Sequence, residues 1–420
     1  MPFNRRLRSI AASLAPGIFL IGYNIGTGSL TAMSKAGANY GTDLLWAVFV
    51  SCLITWYLIN FFSRFTMASG MTAMEAYRSH IHPVYAWMLW GGLTVIILSA
   101  LMGMIGLLVD VLAVWFREVP GVEISRGVTG TILAAVFLGL IWIGNTKRFE
   151  AMLGLMVALM GLAFIGSAVR FFPGVDVTLH GFVPRLPGVA EGSDNSPYII
   201  LAGMVGTTVS VFALLIRSGQ VKDHNWTMAD WRIQKRDALV SATMMFVLSA
   251  AVLLTAASTL HAQGLKMNNI SEMIPMLRPL FGDWSLFIFV VGILSAGFSS
   301  HLPNLMVIPW LTRDLYGQRR TTRTVHLAYV FGLLSLVSIL GVVLEARPVF
   351  LLLLSQAGIS LVMPMALLGL MWLSTRKDLV GDYRPRRIEW ALLTGIAAFS
   401  LFMSYLALQG LIADVRSVAG

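Results

Sequence analysis

Long apolar stretches dominate the chain. Runs of about 20 mostly apolar residues, the length that crosses a bilayer as a helix, recur at about 13–35, 44–68, 85–111, 127–145, 151–172, 197–217, 238–260, 284–310, 326–344, 349–373 and 389–412. Short basic or Pro/Gly-containing stretches separate these eleven spans. The longest connection, 173–196 (PGVDVTLHGFVPRLPGVAEGSDNS), is rich in Pro and Gly and reads as an external loop. The pattern predicts an all-α integral membrane fold with eleven transmembrane helices.

Two spans break their own pattern. The first carries GYNIGTGSLTAMSKAG (22–37), with Asn24, Gly26, Thr27, Gly28 and Ser29 where the backbone should stay hydrogen-bonded. Gly-x-Gly relaxes helical dihedrals, and the freed backbone groups are tolerated only where they line a cavity or pack in protein. The sixth carries GMVGTTVSVFALLIRSG (203–219), with Gly203, Gly206, Thr207, Thr208 and Ser210. Small residues also let helices pack closely, which is the plainer reading of either segment alone. Their placement is patterned, however. The first break opens a block of five spans (13–172), the sixth opens the next five (197–373), and 389–412 is an additional eleventh. An odd number of spans per block makes the two blocks opposite in orientation. That arrangement predicts inverted repeats whose broken helices meet near the membrane midplane to form a substrate site.

Composition supports the bilayer as solvent. Of 420 residues, 57% are hydrophobic and 12% charged, with a mean hydropathy of +0.78; a soluble domain carries about 25% charged residues. The net charge of +10 could suggest nucleic acid, but its distribution excludes that partner. With a cytoplasmic N-terminus, 21 of the 30 Lys and Arg fall in inner segments and nine in outer ones, as the positive-inside rule requires. The C-terminus then lies outside, and the expected location is a bacterial inner membrane. The basic start MPFNRRLR resembles a signal peptide, but its apolar run continues through the Gly-Thr-Gly break, so it reads as a retained first helix. Cys52, the one cysteine, excludes an internal disulfide.

Ionisable groups within spans are expensive and mark function, yet no acid falls at mid-span. Of the 20 acids, Asp110 lies inside a span, near its outer end, as an interfacial residue would, and Glu389 is the first residue of the last span. Candidate ligands are therefore neutral. Thr27, Ser29, Thr207, Thr208 and Ser210 offer hydroxyls, Gly26 and Gly28 offer open backbone, and Phe212 an apolar wall. Arg217 reads either as an anion partner or as an inner-end cation obeying the charge rule. In SSHLPNLMVIP (299–309), His301 reads either as a proton relay or as a packed histidine, beside Ser299, Ser300 and Asn304, with Pro303 and Pro309 suggesting a kink. His80 and His82 read as solvated loop residues. There is no catalytic constellation, Cys cluster or haem motif, and GTGS lacks the phosphate-loop pattern. No enzyme activity and no cofactor are expected.

Several segments carry a family resemblance. AGANYGTDLLWAVFVS (36–51), LGLIWIGNTKRFEAMLGLMVALMGLAF (138–164), LFIFVVGILSAGFSSHLPNLMV (286–307) and VFLLLLSQAGISLVMPMALLGLMWL (349–373) are similar, in order, to segments of Nramp metal-ion transporters, including a polar residue at Gln356. The resemblance implies a LeuT-like fold of inverted five-helix repeats with helices 1 and 6 broken. The sequence departs from the family at its functional motifs. The Asp and Asn of the first break fall on Gly26 and Ser29; the Met-Pro-His-Asn of helix 6 falls on Ser210-Val211-Phe212-Ala213; the second His falls on Arg217; the helix-3 acids fall on Ala100 and Gly103.

The expected function is alternating-access transport of a small polar, anionic or zwitterionic solute. Gly26, Thr27, Gly28, Ser29, Thr207, Thr208, Ser210, Phe212 and Gln356 would bind it, and His301 and Arg217 are candidates for coupling. The alternative is a divalent cation carried hydrated, in the manner of magnesium, which dehydrates reluctantly. A second alternative is a receptor-like homologue that binds without transporting. Proton symport, facilitated diffusion and the oligomeric state stay open.

Overall fold

The computed structural model describes residues 26–119, 121–143, 147–188, 195–318, 325–343 and 347–419. Among them there is no strand. The long helices are α1 (Thr27–Tyr40), α2 (Leu45–Ser69), α3 (Pro83–Glu118), α4 (Arg126–Ile143), α5 (Lys147–Arg170), α6 (Pro197–Thr208), α7 (Val211–Asp223), α8 (Trp231–Thr259), α9 (Ser285–Leu315), α10 (Val325–Val343), α11 (Pro348–Leu373) and α12 (Arg387–Ala419). The sixth expected span is thus two helices, α6 and α7. Of the first, α1 is the C-terminal part; residues 13–25, Asn24 among them, lie outside the described residues.

Seven helical stretches among the described residues are long and apolar enough to cross a bilayer. The other four expected spans correspond to α1, α4, α5 and α10, of 14, 18, 24 and 19 residues.

Local chemistry sets the helix ends. Gly70, at φ 70, adopts the left-handed conformation that ends α2. Pro83 opens α3, and His82, expected as a solvated residue, caps it by accepting from the Val84 amide at 3.2 Å. α8 begins at Trp231, seven residues before the expected span, which draws Asp237 into the helix. α9 runs on through Pro303 and Pro309. In the long connection after α5, Val175–His180 forms a short helix tied to α2 and its approach, with the Trp46 amide donating to the Gly181 carbonyl at 2.8 Å.

α11 is central, packing against α3, α6 and α12, while α1 lies along α8. Glycines permit the close approaches. A Cβ on Gly103 or Gly106 of α3 would come within 3.0 and 2.9 Å of Leu352 and Pro348 of α11. Gly206 of α6 faces the Gln356 carbonyl oxygen so closely that any Cβ would collide with it.

Candidate functional site

The two polar segments meet. Gly26 is extended (φ −100, ψ −167) and α1 starts at the next residue, where the break in the first span was expected; the residues before Gly26 lie outside the described ones. α6 ends at Thr208, Val209 and Ser210 are non-helical, and α7 starts at Val211. The last carbonyls of α6 then lack helical donors. The Thr55 hydroxyl of α2 supplies one, donating to the Thr208 carbonyl at 2.8 Å. Thr55→Val removes that donor from a buried carbonyl. It is expected to cost about 1–3 kcal/mol, read as a lowered unfolding temperature of the detergent-solubilised protein; an unchanged midpoint would show that the break needs no such support.

Between the breaks lies a cavity of about 30 Å³. Gly26, Gly28 and Ser29 line it from the first break, Thr207, Ser210 and Phe212 from the second, and Gln356 from α11. Seven of the nine residues expected at a substrate site therefore surround one void. The other two, Thr27 and Thr208, are buried beside it but do not line it. Thr208 turns its hydroxyl back to the Met204 carbonyl, 3.1 Å away. The Thr27 hydroxyl has no hydrogen-bond partner among the described residues.

Further lining residues come from elements whose role is not visible in the breaks. α3 contributes Ile96, Ile97, Ala100 and Met104, α9 contributes Asn304, and α11 adds Ser355 and Ile359. Met104 and Ser355 escaped the sequence reading. Met104 lies one helical turn beyond Ala100, the position aligned with a family acid, and Ser355 directly precedes Gln356. Met104 brings a thioether to the cavity, and the Asn304 amide donates to its sulfur at 3.6 Å. No Asp or Glu lines the cavity among the described residues, and none of them form a group of three His, Cys, Asp or Glu able to hold a metal.

The two coupling candidates lie elsewhere. Arg217, near the middle of α7, is fully buried and paired with Asp237 of α8 at 2.6 Å, with Gln234 Oε1 accepting from its Nε at 3.1 Å. Its expected role as an anion partner meets a carboxylate already in place. His301 is also fully buried, its ring centroid 4.3 Å from that of Phe137 on α4, and neither ring nitrogen has a hydrogen-bond partner among the described residues. Asp110 is half-buried and paired with Arg126 at 2.5 Å. One buried cation went unread in the sequence: Lys35 of α1, 1% exposed, donates to Asn195 Oδ1 at 2.5 Å, and Asn195 donates in turn to Asp414 Oδ2 at 3.0 Å.

Residues 17–410 match the family described as Natural resistance-associated macrophage protein-like. The chain belongs to the Nramp family. Nramp relatives of similar sequence include the divalent metal cation transporter MntH of Deinococcus radiodurans, 23% identical over 97% of this chain and 92% of the relative. MntH 1 of Pseudomonas aeruginosa is 27% identical, covering 95% of this chain and 92% of its own. The fold is similar to a crystal structure of the Eremococcus coleocola manganese transporter, with a TM-score of 0.78 at 15% identity over 99% of this chain and 89% of that one. It is also similar to Mhp1, a nucleobase-cation-symport-1 family transporter, at a TM-score of 0.59 and 14% identity over 96% and 90% of the two chains. The protein is thus an integral membrane protein of the Nramp family with a LeuT-like fold, as the segment resemblances implied.

Proposed function

We propose that this Nramp-family protein is an alternating-access transporter that carries a divalent cation through a neutral site, the ion keeping part of its hydration shell. The observation that carries the reading is the cavity: small, with hydroxyls and carboxamides on part of an otherwise apolar lining, and set between the start of α1 and the break between α6 and α7. Relatives over nearly the whole chain are named divalent metal cation transporters. Together these reverse the order of the sequence expectations, which put an organic solute first. A void of about 30 Å³ takes one or two water-sized groups, too few for a multi-carbon zwitterion in this conformation. Ser29, Thr207, Ser210, Gln356 and Asn304 would supply oxygen donors, with Gly26 and Gly28 leaving room at the break. Oxygen donors outnumber the single Met104 sulfur, which suits a hard ion over a soft one. Stripping such an ion bare with no carboxylate at hand would leave a desolvation penalty of several kcal/mol or more uncompensated, so retained water is part of the proposal.

In this reading the blocks 13–172 and 197–373 rock about the cavity, with 389–412 outside the repeat, in a bacterial inner membrane with the N-terminus cytoplasmic and the C-terminus outside. One observation favours a second reading. α1 and α7 both begin at the cavity, and helix N-termini favour negative charge, as a solute carboxylate would supply. Uptake into proteoliposomes separates the two. Saturable entry of magnesium or manganese, with no entry of small carboxylates, is expected. Carboxylate or amino-acid flux without cation flux would move the assignment to the second reading, and binding without any flux would make the chain a receptor-like homologue.

A further inference from the structure

We propose that a groove at the basic end of the bundle, distinct from the central cavity, binds the headgroup of an anionic phospholipid. The groove has a volume of about 610 Å³ and lies between α2, the start of α8 and the start of α12. These ends coincide because α2 runs toward the side from which α8 and α12 depart. It is therefore the end that collects Arg64, Arg232, Lys235, Arg236, Arg384, Arg386 and Arg387.

The lining is amphipathic in the sense a lipid requires. Trp56, Phe61 and Trp231 form apolar walls, and Trp56 and Ile388 are 36% and 68% exposed on the outer surface of the bundle. Aromatic rings of this kind settle at headgroup level. The charges are unevenly used. Glu389 is consumed internally, accepting from Arg64 Nη1 at 2.6 Å and from the Arg386 amide at 2.7 Å. Lys235, Arg384 and Arg386 also line the groove, and among the described residues no carboxylate forms an ion pair with any of the three side chains. Asp382 is the remaining acid in the lining, so the groove keeps an excess of two positive charges.

A lipid satisfies both halves of this lining at once. Its phosphate meets the guanidinium groups, for which bidentate phosphate contacts are the favoured geometry, while its chains follow the aromatic walls into the bilayer. A basic pocket between helices at the positive end of a membrane protein is where headgroups of anionic lipids collect. A soluble phosphate would use the cations and leave the apolar walls bare, so the lining commits the site to a lipid.

Native mass spectrometry of the full-length protein in detergent tests this, with dioleoyl phosphatidylglycerol and dioleoyl phosphatidylcholine as paired probes and sodium phosphate as the soluble arm. Bound phosphatidylglycerol is expected, with little phosphatidylcholine and no competition from millimolar phosphate. Each cation near an anionic lipid is worth about fivefold in affinity, so Lys235→Gln, Arg384→Gln and Arg386→Gln together are expected to weaken binding about a hundredfold. Arg384→Gln alone, at an exposed position, is expected to cost about fivefold and serves if the triple variant fails to fold. Equal retention of the two lipids, displacement by phosphate, or unchanged affinity in Arg384→Gln would overturn the proposal.

Discussion

Asp237→Ala is expected to abolish most of the stably folded protein. Arg217 has no exposed surface, and its Nη2 lies 2.6 Å from Asp237 Oδ2. Gln234 Oε1 accepts from the same guanidinium, at 3.1 Å from Nε and more closely from Nη2, and the Trp226 ring lies 5.2 Å from its centre. Removing the carboxylate leaves a full positive charge in a low-dielectric interior with only a neutral amide opposite it. Breaking a buried pair in this way costs about 3–5 kcal/mol, a large share of the stability of most proteins. Size-exclusion profiles and thermal unfolding in detergent would report it. Replacing both partners with apolar residues, Arg217→Met with Asp237→Leu, is expected to recover most of the loss, because neither charge then needs a partner. Recovery of transport along with folding would say that Arg217 holds α7 to α8 and has no part in handling cargo. A double variant that folds but cannot transport would return Arg217 to the mechanism.

Gly28→Val is expected to leave the fold intact and bring flux to the level of empty vesicles. Gly28 lies in the first turn of α1 on the wall of the cavity, and the Gln356 carboxamide occupies the place a Cβ would take. The end of a long side chain can swing aside, so the protein tolerates the substitution. The displaced amide and the added methyl groups then fill a void of about 30 Å³. A matched change at Gly206 has the opposite signature. Its Cβ would run into the Gln356 backbone carbonyl, which cannot move without shifting α11, so Gly206→Val is expected to lose folded protein. Flux measured beside a folded-fraction assay distinguishes the two. Wild-type uptake by a folded Gly28→Val protein would place the pathway elsewhere.

These two glycines illustrate how far the residues could be read in one dimension. Both stand in the polar interruptions that marked spans 1 and 6; the second marks a real break between α6 and α7, and the first marks the start of α1. A Gly in a pattern says that a side chain is unwelcome; it does not say whether a backbone, a side-chain amide or a cargo takes the space. Gly28 faces the cavity and Gly206 faces a neighbouring helix, and the difference depends on α11, roughly 150 residues or more away along the chain. The same limit explains Arg217. Its position at the basic end was legible, but its partner Asp237 lay just outside a span drawn on hydropathy, since the charged start of α8 is helical without being apolar.

Apolar runs and polar interruptions were enough to establish a helical membrane protein with a broken sixth span and a helix that starts at the Gly-Thr-Gly segment of the first, because burial in lipid constrains composition residue by residue. The absence of acids at the breaks was equally plain, and the cavity lining agrees with it among the described residues. Folding in three dimensions settled which side chains converge. Met104, Asn304 and Ser355 reach the cavity from three different helices, while Thr208 turns back to its own helix and Lys35 is drawn into a buried network with Asn195 and Asp414. Such pairings are long-range and depend on helix rotation and register, which no local pattern of hydrophobicity encodes.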